Sequence, residues 1–332
     1  MTLVLGLLFV TSTTGQDFHY TQYFMSPLGV NPALAGAFSG SYRLNGIYRD
    51  QYRGSAVKPF GGFGINIDAP IIRGIRKQDW VGVGIRMDKD KSGQLSQSMS
   101  FSGLTAAYHL GLDKKQTSFI SIGAQYGGGS IGYTAVGGEV GNNEVEGKER
   151  TEQTNNIFKD NNEGSLNDLS IGVLYTARNA KSGNNFKIGV GVEGILNPNR
   201  AVLKQDQKGI GINAFSQYHM EMSKRLSLTS GVLFYSLKKP SAFVINSVVN
   251  YRIKPANKFT VHGGLGVRAL RAGLIYLGAT FNGIRVGLAY DLDLGASTPA
   301  TGGHKSIELG VSYTGIIHKK PKVKPIIYCP RL

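Results

Sequence analysis

Two segments near the C-terminus alternate in character residue by residue. Ile284, Val286, Leu288, Tyr290 and Leu292 share one parity; Arg285, Gly287, Ala289, Asp291 and Asp293 share the other. The second segment sets Ile307, Leu309, Val311 and Tyr313 against Glu308, Gly310, Ser312 and Thr314. Successive side chains of a β-strand point to opposite faces, so each segment reads as a strand with one apolar face and one small or charged face. The Gly/Ser/Pro/Thr stretch 295–304 between them reads as a turn. The same period of two recurs at 62–68, 81–88, 186–193 and 259–268. Strand centres fall at Asn45, Gly64, Gly84, Thr105, Gly123, Gly172, Gly191, Ser216, Gly231, Val248, Gly264, Gly278, Ala289 and Gly310, about fourteen strands in all. The alternation slips near Asn45, Thr105 and Ser216.

A soluble sandwich points the apolar face inward, whereas a transmembrane barrel points it at lipid and lines its lumen with the other face. Charge placement narrows the choice. Arg86, Lys187, Arg268 and Arg285 all fall on the glycine-rich parity. A Lys or Arg facing lipid at the midplane costs roughly 2–4 kcal/mol, and burying one unpaired in a sandwich core costs more. A sandwich can still put these charges on its solvent face. Glycine decides: there are 46 in 332 residues, about twice the usual share. Glycine weakens solvent-facing strands but suits a crowded lumen. The expected fold is therefore all-β, a transmembrane antiparallel β-barrel. Arg in place of Val83 or Val286 should then impair assembly far more than replacement of Gly84.

No internal apolar run reaches the roughly 18 residues of a spanning helix. The stretch 1–9 is apolar and 10–15 small and polar, which reads as a secretory signal cut before Gln16, with Thr13 and Gly15 at the small positions and without the usual Lys/Arg at its start. The segment 16–40, with its aromatics and prolines, reads as irregular structure packed on or in the barrel, and 41–315 as the barrel itself. Asn31-Pro32 should set a tight turn. Breaks are expected at 137–163, placed outside the cell, at 197–208, and at 89–97. The remainder, 316–332, is a basic, proline-broken tail. An even strand count puts both termini on the periplasmic side. The tail's apolar cluster at Ile326, Ile327 and Tyr328 is expected to dock on the periplasmic mouth or on a partner, and its lysines to steer encounter with an acidic surface.

Net charge is +16, but no dense basic cluster joins a nucleic-acid-binding motif, so nucleic acid is not an expected partner. The single cysteine, Cys329, excludes an intrachain disulfide. There is no P-loop, H-E-x-x-H, C-x-x-C or G-x-S-x-G. The six histidines lack metal-ligand spacing; His262 and His304 read as solvated or hydrogen-bonded residues. Residues 88–91 match a calcium loop only loosely and read as a solvated turn. No enzyme activity, metal or cofactor is expected. The charged lumenal set Arg86, Lys187, Glu193, Arg268, Arg285, Asp291 and Asp293 reads either as an internal ion-pair network or as a surface for a polar guest.

Both termini carry a resemblance. Gln16-Asp17-Phe18, Gln22-Tyr23, Pro27-Leu28 and Asn31-Pro32-Ala33-Leu34-Ala35-Gly36 resemble the opening of the PorP/SprF family of the Bacteroidetes type IX secretion system. Tyr48-Arg49-Asp50-Gln51-Tyr52 resembles its "YR.QW" element, with Tyr for Trp, and 286–291 and 303–309 resemble its last two strands. Cys329-Pro330-Arg331-Leu332 resembles its C-terminal "CPRF", with Leu for Phe. The resemblance implies a non-enzymatic outer-membrane barrel that helps secrete or anchor substrate proteins through their C-terminal domains. Its members act with gliding adhesins or with periplasmic ring components. It marks Gln22, Tyr23, Pro27, Asn31, Pro32 and Gly36, and in the tail Ile326, Tyr328, Cys329, Pro330 and Arg331, as signature residues. The alternatives are a porin or uptake channel, a barrel enzyme, and a structural anchor for the secretion ring.

Overall fold

Pairing of the alternating segments closes the sheet on itself. The computed structural model describes residues 20–317 except 52–59, 93–96, 116, 134–161, 197–209, 238–240, 255–258, 269–271 and 295–303. It holds fourteen antiparallel strands in a closed barrel. The first seven are β1 (Tyr42–Gln51), β2 (Phe60–Arg73), β3 (Trp80–Ser92), β4 (Gln97–Gly111), β5 (Ser118–Tyr133), β6 (Asn162–Arg178) and β7 (Asn185–Glu193). The rest are β8 (Gly211–Glu221), β9 (Leu226–Leu237), β10 (Ser241–Lys254), β11 (Phe259–Arg268), β12 (Ala272–Phe281), β13 (Ile284–Asp293) and β14 (His304–Gly315). Each strand pairs with its sequence neighbours, and β14 closes on β1 from Tyr42↔Gly315 to Gln51↔Ser306.

Parity sorts the side chains as lipid demands. Leu104, Ile122 and Leu265 are 67, 64 and 70% exposed on the outside, while Asn66, Asp68 and Glu308 are buried inside. At one end Tyr42 and Tyr313 meet edge-on with ring centroids 5.8 Å apart, as expected for an interfacial aromatic girdle. This is the short-turn end, where β1 begins and β14 finishes. The β12–β13 connection there is only Asn282-Gly283, both at positive φ, a two-residue hairpin turn. The longest connections, β5–β6 and β7–β8, belong to the opposite end.

Some sequence expectations need correction. The break at 89–97 shrinks, because β3 runs to Ser92 and β4 starts at Gln97. Residues 88–91 are therefore paired strand rather than a solvated turn; outward lysines do not stop a backbone that keeps pairing beyond the apolar band. Asn162, Glu163 and His304, expected in connections, open β6 and β14. Replacing Gly84 also carries a packing cost, because a side chain there would meet Leu28 Cδ1 at 2.7 Å and the Ile67 carbonyl at 3.0 Å.

Candidate functional site

The lumen holds the chain's own beginning. Tyr23–Met25 and Pro32–Leu34 form single 3₁₀ turns on either side of one α-helical turn, α1 (Pro27–Val30). Proline suits the first helical position, where no N–H is needed, and both Pro27 and Pro32 stand there. Asn31 joins the two turns. Its Oδ1 accepts from the Ala33 N–H at 2.8 Å, and its Nδ2 donates to the Val173 carbonyl of β6 at 3.1 Å. Gly36 ends the plug at φ +73°, which favours glycine. Its N–H donates to Asp68 at 2.8 Å, and Trp80 donates to its carbonyl at 3.1 Å.

The plug is fixed at both ends. In the half of the lumen nearer the long connections, Glu308 of β14 accepts the backbone N–H of Thr21 at 2.7 Å and of Gln22 at 2.9 Å. Asp291 of β13 accepts the Thr21 hydroxyl at 2.8 Å. Arg49 lies 3.4 Å from Glu308 and 3.7 Å from Asp291, and Arg268 lies 3.4 Å from Asp291. Two buried carboxylates thus face two guanidiniums and three donors from the plug. Near the short-turn end, Arg43 grips Asp68 through two nitrogens at 2.9 and 2.8 Å and also donates to the Leu34 carbonyl at 3.2 Å. His109 donates from Nε2 to the Ala35 carbonyl at 2.8 Å, so Ser121 must donate to its Nδ1, 2.6 Å away. The indole of Trp80 stacks on this imidazole at 4.6 Å.

Between these ends the wall is made of glycine because the plug backbone lies against it. A methyl group at Gly82 would overlap the Ala35 carbonyl, and one at Gly172 would overlap Asn31 Oδ1. The plug touches β10 through Tyr23 and Asn246, and β2 through Ser26 and Asn66. With β6 and β14 these contacts surround it on all sides.

The signature residues Gln22, Tyr23, Pro27, Asn31, Pro32 and Gly36 are therefore neighbours in one lumenal plug. Arg268 and Asp291 belong to its upper anchor. Arg86 pairs with Asp88, reaches Gln125 at 3.4 Å and sits over Phe101, while with Glu193 it lines a narrow gap beside α1. Arg285 lies over Phe24, its Cζ 5.3 Å from the ring centroid. Lys187 is remote from the anchor and lines a separate cavity. Asp293 closes β13. The tail residues Ile326, Tyr328, Cys329, Pro330 and Arg331 lie outside the described residues. Arg49, Glu308, Asp68, Arg43 and His109 were missed as site residues, although the parity rule that selected Arg268 also turns Arg49 and Glu308 inward.

On the other side of the plug the lumen widens into a vestibule of about 1750 Å³ at the short-turn end. A transverse chain of polar side chains crosses its wall. His262 bonds Asn250 and Thr280 at 2.7 Å each, Asn250 donates to Thr229 at 3.1 Å, and His219 bonds Thr229 at 2.8 Å. Among the described residues no group of three or more His, Cys, Asp or Glu could hold a metal ion.

The profile of the type IX secretion system membrane protein PorP/SprF family matches residues 12–313. The chain belongs to this family. It is a membrane β-barrel of the type IX secretion system. No curated protein matches it in sequence. Solved barrels share the fold of this PorP/SprF protein at low identity. The Ralstonia pickettii toluene transporter TbuX aligns at TM-score 0.53 and 9% identity over 88% of this chain and 94% of its own. The monoaromatic hydrocarbon channel CymD aligns at 0.53 and 11%, over 89% and 93%. The Pseudomonas putida toluene transporter TodX aligns at 0.52 and 10%, over 88% and 93%.

Proposed function

We propose that this PorP/SprF barrel helps secrete substrate proteins or hold them at the cell surface through their C-terminal domains, without enzymatic turnover. The observation that carries the reading is the plug. The family's signature segment is held in the lumen by hydrogen bonds to buried, ion-paired side chains of the wall, which suits a docking scaffold better than a diffusive pore. The short turns support a periplasmic position for the end where β14 finishes, which would send 318–332 toward periplasmic ring components. The N-terminal segment would then run down the lumen from its anchor at Glu308 to the periplasmic end, where β1 begins. A link to gliding adhesins is part of the same proposal. Deleting 326–332 should leave a heat-modifiable barrel in the membrane while lowering substrate at the surface. Normal surface display at normal protein level would overturn the tail's role.

The solved toluene transporters and hydrocarbon channel that share this fold motivate a second reading, uptake of a small solute. It requires a path past the plug. Conductance of the intact protein in planar bilayers would favour it.

A further inference from the structure

Of the vestibule's lining only a few residues, Trp80 and Arg285 among them, touch the plug, and its chemistry is one-sided. Arg73, Arg178, Lys187, Arg252 and Arg285 line it, together with His219 and His262; among the described residues its lining has no Asp or Glu. Arg252 is answered by Glu221 just outside the lining. Among the described residues no carboxylate stands within ion-pair distance of Arg73, Arg178, Lys187 or Arg285. Like charges enclosed by low-dielectric walls focus their field on whatever enters. The five cations stand on five strands, β2, β6, β7, β10 and β13, spread round the circumference rather than gathered at one point. A compact anion cannot touch them all. The volume also exceeds the roughly 300–1,000 Å³ of small-molecule sites.

The rim adds a second requirement. Ile71, Ile72, Ile316 and Ile317 line the same mouth and are about half or more exposed. Charged glycans carry no aliphatic groups to cover them, whereas a peptide with both carboxylates and apolar side chains does. The chain's own continuation from Ile317 is a poor occupant, because Lys319, Lys320, Lys322 and Lys324 would be driven into a positive cavity.

We propose that the short-turn vestibule is a docking site for an acidic, partly apolar peptide segment of a partner protein. The proposal deepens the secretion reading and rests on it only in taking the partner to be a protein; the binding test below needs no secretion assay.

The test uses the full chain in nanodiscs and a fluorescein-labelled peptide alternating Glu and Leu. This peptide should bind, and its Lys/Leu counterpart should not. Lys187→Gln with Arg285→Gln should weaken binding about tenfold and flatten its salt dependence, while Lys224→Gln, on the β8–β9 turn, should leave it unchanged. If the double variant fails to fold, Thr176→Cys in a Cys329→Ser background gives an independent readout, since bound peptide should slow the reaction of the introduced thiol with maleimide. Equal binding of the Lys/Leu peptide, a thiol at position 176 that the peptide leaves unprotected, or an unaffected double variant would overturn the proposal. So would tighter binding of an alginate oligomer, displacement by inorganic phosphate alone, or binding that emerges only when 318–332 is removed, which would make the tail the occupant.

Discussion

Glu308 illustrates how much one side chain organises. It accepts two backbone N–H groups of the plug and faces Arg49 across the β1–β14 seam. Removing one partner of a buried ion pair strands the other, at about 3–5 kcal/mol. Glu308→Gln should fall near the lower bound, because Asp291 still faces Arg49 and Arg268. Urea unfolding in detergent checks this, and limited proteolysis should show cleavage inside 20–37 that wild type resists. The cost of Arg49→Met with Glu308→Gln should be less than the sum of the single changes. Asp79 is the second residue with a readable sign. It lies in the β2–β3 turn, where the Tyr108 hydroxyl, the Gly111 N–H and Arg76 hold its carboxyl below the usual range. Its folded value is depressed, so its contribution is present above about pH 4, the unfolded value, and is lost as pH falls through the folded one. Asp79→Asn should lower the neutral plateau of a stability–pH curve and flatten that acid limb, so that variant and wild type converge at low pH.

At the scale of the strand, the period of two carried the prediction. Leu288→Arg, at mid-strand on the lipid face, should cost about 2–4 kcal/mol of barrel stability, whereas Thr260→Arg, turned into the vestibule, should be nearly neutral; refolding yields into liposomes compare them directly. Equal losses would refute the assignment of faces. The three strands whose pattern slipped share one cause. Ile47 in β1, Phe101 in β4 and Phe215 in β8 all face inward, buried at 3, 7 and 6% exposure. Ile47 packs on Tyr20 and Met25, Phe215 joins the cluster around Tyr23 and Val30, and Phe101 lies under Arg86. A lumen that contains a plug needs apolar residues on its polar face, and no parity rule knows where. The strand number and the facing of the charges were legible because lipid imposes them locally. The anchor was not, because Thr21 and Glu308 are brought together only when the barrel closes.

At the scale of the molecule, the plug decides what the barrel can pass. Intact protein should be electrically silent in planar bilayers, and removal of 20–37 should produce steady or flickering conductance; the same currents from both proteins would leave the plug without a barrier role. The position of the upper anchor has a further consequence for biogenesis. Its acceptors sit on the last two strands to be synthesised, and its donors on Thr21 and Gln22, ahead of every strand. A chain halted before β14 therefore lacks both the strand that seals the cylinder and the carboxylate that tethers its contents. Sealing and tethering become a single event, so an incomplete copy cannot pass for a finished one: it is left with an open edge and a loose, protease-sensitive leader at the same time.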